Sequence, residues 1–415
     1  MSHPHQKGKW LIMNVREQKG LQIAALSKIK RKGGFYIVPS QSGNGQYKVQ
    51  AAPDLDSCTC PDFQTNHVKC KHVYAVEFAI QRETSSVQPQ QITDAPLRAK
   101  TVYKQNWPAY RLAQIYEKSK FQELLYGLCA GIDEPIQLVG RGRIPMKDIV
   151  FALAFKVYTT TAGRRFMTDL RETCLKGYIS KLPCYNSINN YMEREELTRN
   201  LEWLITQSSL PLKSIEVDFA VDSSGFSTCQ YVRWFDEKYG KEKSERDWLK
   251  AHIMCGVTTN IVTAAAVSSA YGSDHNFFAP LVNETARHFQ MREVSADKAY
   301  SSYANLRLIE SKNATPYIDF RVGASGKSRC EIWNKMYHLY NLNREEFMQR
   351  YHKRSNVEAT FAMIKAKFGS RLRCKLPVAQ ANEALLKILC HNICCLIQSM
   401  YELGIEPNFL TDQSL

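Results

Sequence analysis

At Pro211 the spacing of apolar residues changes, and this switch constrains the fold more than any other feature of the chain. From Trp107 to Leu210 the period is helical, with Leu112, Ile115, Phe121, Leu124 and Leu125 followed by helical runs over 149–158, 166–175 and 185–205. Turn signals at 140–145, 159–163 and 176–183 cut this region into four or more short helices, the pattern of a small bundle or helix-turn-helix variant. After Pro211 come β-branched runs at 215–221, 231–235, 249–257 and 261–267, the last two joined across Thr258-Thr259-Asn260. A helical pattern over 277–289, a strand at 293–296, a helix opening at Ser301-Ser302, a strand over 315–320 and a long helix from Glu345 follow. Strands first, then helices and strands in alternation, predict a mixed α/β sheet with helices on its faces.

Upstream, Gly33-Gly34 introduces short strands at 35–38 and 47–49, which read as a hairpin across Ser42-Gly43-Asn44-Gly45, and an apolar helical segment over 73–80. A polar stretch from Thr84 containing Pro89 reads as a linker. The chain therefore divides into a small β-rich module (1–95), an all-α region (96–210) and an α/β domain (211–405). Charge names the class of partner. The 55 Lys and Arg outnumber the 40 Asp and Glu, and a net +15 points to a polyanion. No stretch reaches the roughly 18 uninterrupted apolar residues of a membrane span, and the N-terminus carries no apolar leader. The 13 cysteines are then expected in a reducing, cytoplasmic setting. In the helical region the local basic faces are Arg141, Arg143, Arg164 and Arg165, which serve DNA or simply a solvated bundle surface.

Two constellations carry chemistry. The first is Cys58-Thr-Cys60 followed by Cys70-Lys-His72: three thiols and an imidazole in two short-spaced pairs, the set that a closed tetrahedral zinc site requires. His67, in the gap between the pairs, is an alternative ligand, and reduced cysteines beside a small core are the plainer reading. The second is acidic. In the run Ile215-Glu-Val-Asp218-Phe-Ala-Val-Asp222-Ser-Ser-Gly225, strand alternation puts Asp218 and Asp222 on one face, roughly 13 Å apart and too distant to share one metal. Asp222 reads as the end of the strand, beside a Ser-Ser-Gly turn, and Asp297 likewise ends a strand just before a helix. Near the C-terminus Tyr351, Arg354, Glu358 and Lys365 share one helix face, with Glu358 the single acid among eight Lys and Arg between Arg350 and Lys375. From that segment alone Glu358 is equally a charge-balancing surface residue. Carboxylates at strand ends and on a nearby helix are what a pair of Mg²⁺ ions needs.

Both constellations resemble known families. Cys-x-Cys-Pro-x-Phe at 58–63 with Cys-Lys-His at 70–72 resembles a SWIM-type zinc finger over about residues 35–82, which implies a structural Zn²⁺ held by Cys58, Cys60, Cys70 and His72 in a DNA- or protein-docking module. Asp222 in Asp-Ser-Ser-Gly, Asp297 in Ala-Asp-Lys-Ala-Tyr, and Tyr351, Arg354, Glu358 and Lys365 in Tyr-x2-Arg-x3-Glu-x6-Lys resemble the DDE transposases of prokaryotic insertion sequences over about residues 105–400. The segments 248–252, 382–387 and 391–392 are similar to that family as well. The resemblance implies a ribonuclease H-like domain, in agreement with the strand and helix order. It also implies an enzyme that binds terminal inverted repeats, hydrolyses phosphodiester bonds at the element ends and joins the freed 3′-OH to target DNA. Asp222, Asp297 and Glu358 are then the catalytic ligands of two Mg²⁺ ions, for which Mn²⁺ can substitute, one activating water or 3′-OH and the other stabilising the leaving oxygen. Tyr351, Arg354, Lys365 and Lys298 become DNA-phosphate contacts. Two element ends must meet, so a homodimer on double-stranded DNA in the nucleoid is implied. The rival is an inactive, domesticated relative that only binds DNA. Some relatives insert a β-rich segment carrying a base-flipping Trp between the second Asp and the Glu. Here Glu358 lies only 61 positions after Asp297, too close for the full insertion, although Trp333 lies between them.

Overall fold

The computed structural model describes residues 15–27, 29–40, 45–51, 56–84, 106–134, 142–228 and 248–409. The loop at 42–44, the linker from residue 85, Arg141 and the expected strand at 231–235 lie outside them. The chain forms two compact units, within 1–103 and 104–415.

The first unit is a four-stranded antiparallel sheet, β1 (Lys30–Lys32), β2 (Phe35–Pro39), β3 (Gln46–Gln50) and β4 (Ser57–Cys58), with helices α1 (Val15–Leu26), α2 (Pro61–Asn66) and α3 (Lys71–Thr84). Val38 and Val49 bury their side chains with Ile23, Val73 and Val76. Gly20 lets α1 lie close on α3, since a Cβ there would come within 2.5 Å of Tyr74 Cβ. The core is small, and Cys58, Cys60 and Cys70 are buried within it, so the cysteine cluster is part of what holds the module together.

In the second unit, helices α4 (Trp107–Cys129), α5 (Met146–Thr159), α6 (Gly163–Leu175), α7 (Tyr185–Met192) and α8 (Glu195–Ser209) precede the sheet. Its strands are β5 (Asp218–Ser227), β6 (Trp248–Gly256), β7 (Val262–Ser269), β8 (Glu293–Ala296) and β9 (Thr315–Ile318), in spatial order β7-β6-β5-β8-β9. β5, β6 and β7 are antiparallel to one another in turn, and β8 and β9 run parallel to β5. That order and direction are ribonuclease H-like. The remaining helices are α9 (Asp274–His288), α10 (Tyr303–Ser311), α11 (Glu331–Leu342), α12 (Arg344–Tyr351), α13 (Ser355–Phe368) and α14 (Pro377–Leu403). Phe219 and Val221 face a core built with Phe278, Val294 and Tyr300, whereas Ala220 and Phe226 face the other core with Ile364, Leu386 and Leu389. Alternation along β5 thus supplies both sides of the sheet.

Three features differ from the sequence reading. The second core runs without a break from α4, α5 and α8 through the sheet to α13 and α14, so the helical region and the α/β region share one interior and no packing boundary falls at residue 210. Asn392 shows how: its amide donates to the carbonyls of Ile205 and Val262 and to Ser208, and its oxygen accepts from Val262 N–H. β5 does not end at Asp222. It continues through Ser223-Ser224-Gly225 to Ser227, because β6 pairs with it as far as Trp248 and overrides the turn propensity of those residues. The helix expected from Glu345 is interrupted by a 3₁₀ turn at His352–Arg354. Finally, α14 is long and apolar enough to cross a membrane by length and composition, and 72% of its most apolar stretch is buried inside the protein.

Candidate functional site

In the N-terminal unit, Cys58 ends β4, Cys60 caps α2, and Cys70 and His72 lie at the start of α3. All four are buried and one ligand atom from each lies within 4.8 Å of the others. His72 Nδ1 is 3.9 Å from both Cys58 and Cys70 Sγ, the spacing of neighbouring ligands around a common centre. Hydrogen bonds from Cys58 and His72 push the Cys70 thiol down, and its bond to Cys70 pushes Cys58 up. Soft donors, burial and mutual proximity fit a structural Zn²⁺ with no open position. His67 caps the C-terminal end of α2 in a left-handed conformation, is exposed, and lies outside the set.

The acidic residues gather at the end of the sheet where β8 stops. β8 pairs with β5 from Asp218 to Val221 and ends at Ala296, so at Asp222 β5 has lost this parallel neighbour and meets a parallel partner again at Ser227, bridged to Arg371. Asp222 faces α13 in the gap this leaves. Asp297 follows β8 directly, its Oδ1 accepting from Lys298 N–H at 2.7 Å as it caps the next turn. Glu358 lies in the first turn of α13 and is exposed. Arg354 joins two of the three: its guanidinium is 3.2 Å from Asp222 Oδ2 and 2.8 Å from Glu358 Oε1. The other Asp222 oxygen accepts from Ser223 N–H at 2.8 Å. Burial raises the Asp222 carboxyl above its ordinary range, and the charges of Asp297 and Glu358 push the same way against Ser223 N–H and Arg354. Arg354 is raised despite burial, through Tyr351, Glu358, Asp222 and Asp297. The three acids thus share one field, although with Arg354 between them they do not close on a single point: among the described residues only the cysteine–histidine set draws three or more such ligand atoms within 4.8 Å.

The 3₁₀ turn explains how neighbouring residues reach different targets. Lys353 turns to Asp218 and Glu293, at 2.7 and 2.6 Å, while Arg354 turns to Asp222. Asp218 is committed to that ion network, where hydrogen bonds from Arg292 and Lys353 hold it below the usual carboxylate range in spite of burial. Glu293 also pairs with Arg350. The only mark of this network in the sequence is an acid, Asp218 or Glu293, opening each of two adjacent parallel strands. Tyr351 is buried, with its ring centre 5.9 Å from Arg354 Cζ. Lys365 donates to Ser224 Oγ at 2.7 Å and sits over the Phe226 ring, and burial lowers its pKa. Lys298 is exposed beside Asp297. Trp333 is 8% exposed, donates Nε1–H to Ser325 O, and packs on Tyr303 and Phe320, so it belongs to the core.

Comparison with known families matches residues 213–393 to the family described as Transposase DDE domain. Residues 213–393 are a transposase DDE domain. Residues 47–81 match the SWIM zinc finger, and the four clustered ligands all fall within that span. No curated protein and no solved structure matches the chain. The DDE domain begins just before β5 and ends within α14, so it holds the whole five-stranded sheet and all three acids. The buried residues at 382–392 prove architectural: Asn382 donates to Met192 O and Arg194 O, and Lys387 donates to Gly369 O and Arg371 O, fixing the segment that follows the Glu358 helix.

Proposed function

We propose that the chain is a DNA transposase that binds terminal inverted repeats, cuts phosphodiester bonds at the element ends and transfers the 3′-OH to target DNA, with Asp222, Asp297 and Glu358 as its metal ligands. The observation that carries this reading is that Arg354 pairs with Asp222 of the central strand and with Glu358 of a helix, while Asp297, at the end of the parallel neighbour, acts on the same Asp222 through its charge. Hard oxygen donors in a half-open, partly solvated site fit Mg²⁺ or Mn²⁺, which bind through few carboxylates and complete their shell with water and phosphate. When bound, such a pair of ions supplies Lewis acidity and charge neutralisation at the scissile phosphate.

The protein residues have separable tasks. Asp222 is oriented by the Ser223 amide and Asp297 by the Lys298 amide, so both carboxylates are held before any ion arrives. Arg354 neutralises Asp222 and Glu358, and its guanidinium is the cation on this face that would contact a DNA phosphate while the two carboxylates would hold a divalent ion. Lys365, reaching Ser224 from the same helix as Glu358, and exposed Lys298 extend positive charge to either side, for backbone contacts that position DNA without reading its sequence. Tyr351 acts by keeping Arg354 in place, since its ring is buried. The zinc finger docks DNA or protein, two chains act together on paired element ends, and the setting is the bacterial or archaeal cytoplasm.

The test is metal-dependent cleavage of DNA carrying the terminal inverted repeat that flanks the gene. Wild-type protein cuts with Mg²⁺ or Mn²⁺ and joins the ends to a target. Asp222→Ala retaining wild-type cleavage refutes the assignment, and cleavage without joining identifies a nuclease.

A further inference from the structure

The face of β5 opposite Glu358 carries a second polar cluster. Strand alternation turns Ser223 away from Asp222 and toward α9, where its hydroxyl donates to Asp274 Oδ1 at 2.9 Å. Two groups from β6 meet the same oxygen: Lys250 Nζ at 2.6 Å and His252 Nδ1 at 3.4 Å. His252 is fully buried, stacked on Phe277 at 4.1 Å, with its Nε2 2.9 Å from Ser268 Oγ, while its Nδ1 makes no hydrogen bond. One carboxylate oxygen in the first turn of α9 thus collects contacts from two adjacent strands.

The position of this cluster gives it a consequence at the front of the sheet. β8 no longer pairs with β5 beyond Val221, so the stretch bearing Asp222 and Ser223 is tied to β6 on one side only. Ser223 is the residue whose backbone N–H fixes Asp222 Oδ1, and its side chain is anchored by Asp274. We propose that Asp274 is a positioning residue: by holding Ser223 from behind the sheet it orients Asp222, and so sets the affinity of the acidic site for a divalent cation. This rests on the reading of Asp222 as a metal ligand. Outer-shell partners of this kind typically change metal affinity about 10- to 100-fold when removed.

The test is Mn²⁺ binding to the zinc-loaded full-length protein without DNA, followed by electron paramagnetic resonance, with Asp222→Asn defining the signal that belongs to this site. Asp274→Ala and Ser223→Ala are expected to weaken the Asp222-dependent binding about tenfold. Asp274→Asn, which keeps an oxygen opposite the Ser223 hydroxyl, is expected to restore most of it, and saturating Mn²⁺ to restore the cleavage rate of all three. Ser223→Ala removes one hydroxyl and keeps the amide, so it carries the test should Asp274→Ala not fold. Unchanged Mn²⁺ affinity in Ser223→Ala and Asp274→Ala overturns the proposal alone, as does a loss of melting temperature with no shift in metal midpoint. Equal binding by wild type and Asp222→Asn overturns the metal-ligand reading on which it stands.

Discussion

Arg354 pairs with both Asp222 and Glu358, so if these carboxylates hold a cation as proposed, replacing the arginine is expected to tighten metal binding while weakening catalysis. The size follows from the two contacts. The Asp222 arm joins groups that are each about a fifth exposed, and is worth about 1 kcal/mol; the Glu358 arm, with a carboxylate 57% exposed, is worth about 0.5 kcal/mol. Losing both removes about 1.5 kcal/mol that a cation must otherwise displace, a tenfold gain in affinity. Arg354→Gln keeps the length of the side chain and deletes the charge. Mn²⁺ titration of the DNA-free protein, corrected with Asp222→Asn, should show about tenfold tighter binding, with the difference shrinking at high salt. Cleavage of inverted-repeat DNA by the same variant should fall at saturating metal, because the phosphate contact is gone. Affinity equal to or weaker than wild type refutes the reasoning, since it means the arginine supports the metal site instead of competing for it.

Other perturbations follow from the same geometry. Cys70→Ser should remove one equivalent of bound zinc and unfold the N-terminal unit, read by metal content and far-ultraviolet circular dichroism; retained stoichiometric zinc rejects the ligand set. Asp222 titrates above its ordinary range in the folded protein, so its charge opposes folding at neutral pH, and that cost disappears as pH falls through the raised value toward the unfolded value of about 3.9. Asp222→Asn should therefore abolish cleavage yet melt at or above the wild-type temperature at pH 7, with the difference vanishing near pH 4; a lower melting point at pH 7 contradicts the sign. Glu383 is buried, accepts from Arg373 and Cys374 N–H and pairs with buried Lys387. Glu383→Ala should cost about 3 kcal/mol by leaving that lysine charge less compensated, measured as a shift in the urea midpoint at unchanged slope, and a loss below about 1 kcal/mol argues against the clamp.

The parts of this protein that depend on local pattern were readable in the chain. The strand at Glu293–Ala296, the hairpin through Asn260, the helix capped by Ser302 and the cysteine–histidine set follow from alternation, turn chemistry and ligand spacing. Where the outcome turned on pairing across the fold, the same rules failed. Ser223-Ser224-Gly225 has the composition of a turn, yet it is strand, because β6 supplies its hydrogen bonds. The helix periodicity through 345–365 runs on uninterrupted in the sequence, yet a 3₁₀ turn tightens it where Lys353 and Arg354 reach two different acid groups.

The order of residues sets which chemical groups are present and how they are spaced: three acids at defined intervals, a basic face around the last of them, and four metal-ligand side chains in two pairs. Which acids are tied up in a buried ion network is set by the fold. Asp218, four residues from Asp222 on the same strand, is bound to Arg292 and Lys353, whereas Asp222 lies past the end of β8 and opens toward Asp297 and Glu358. A strand's register and its neighbour's length, which no local pattern encodes, determine whether a carboxylate is held by two cations, as Asp218 is, or by Arg354 alone beside other acids, as Asp222 is.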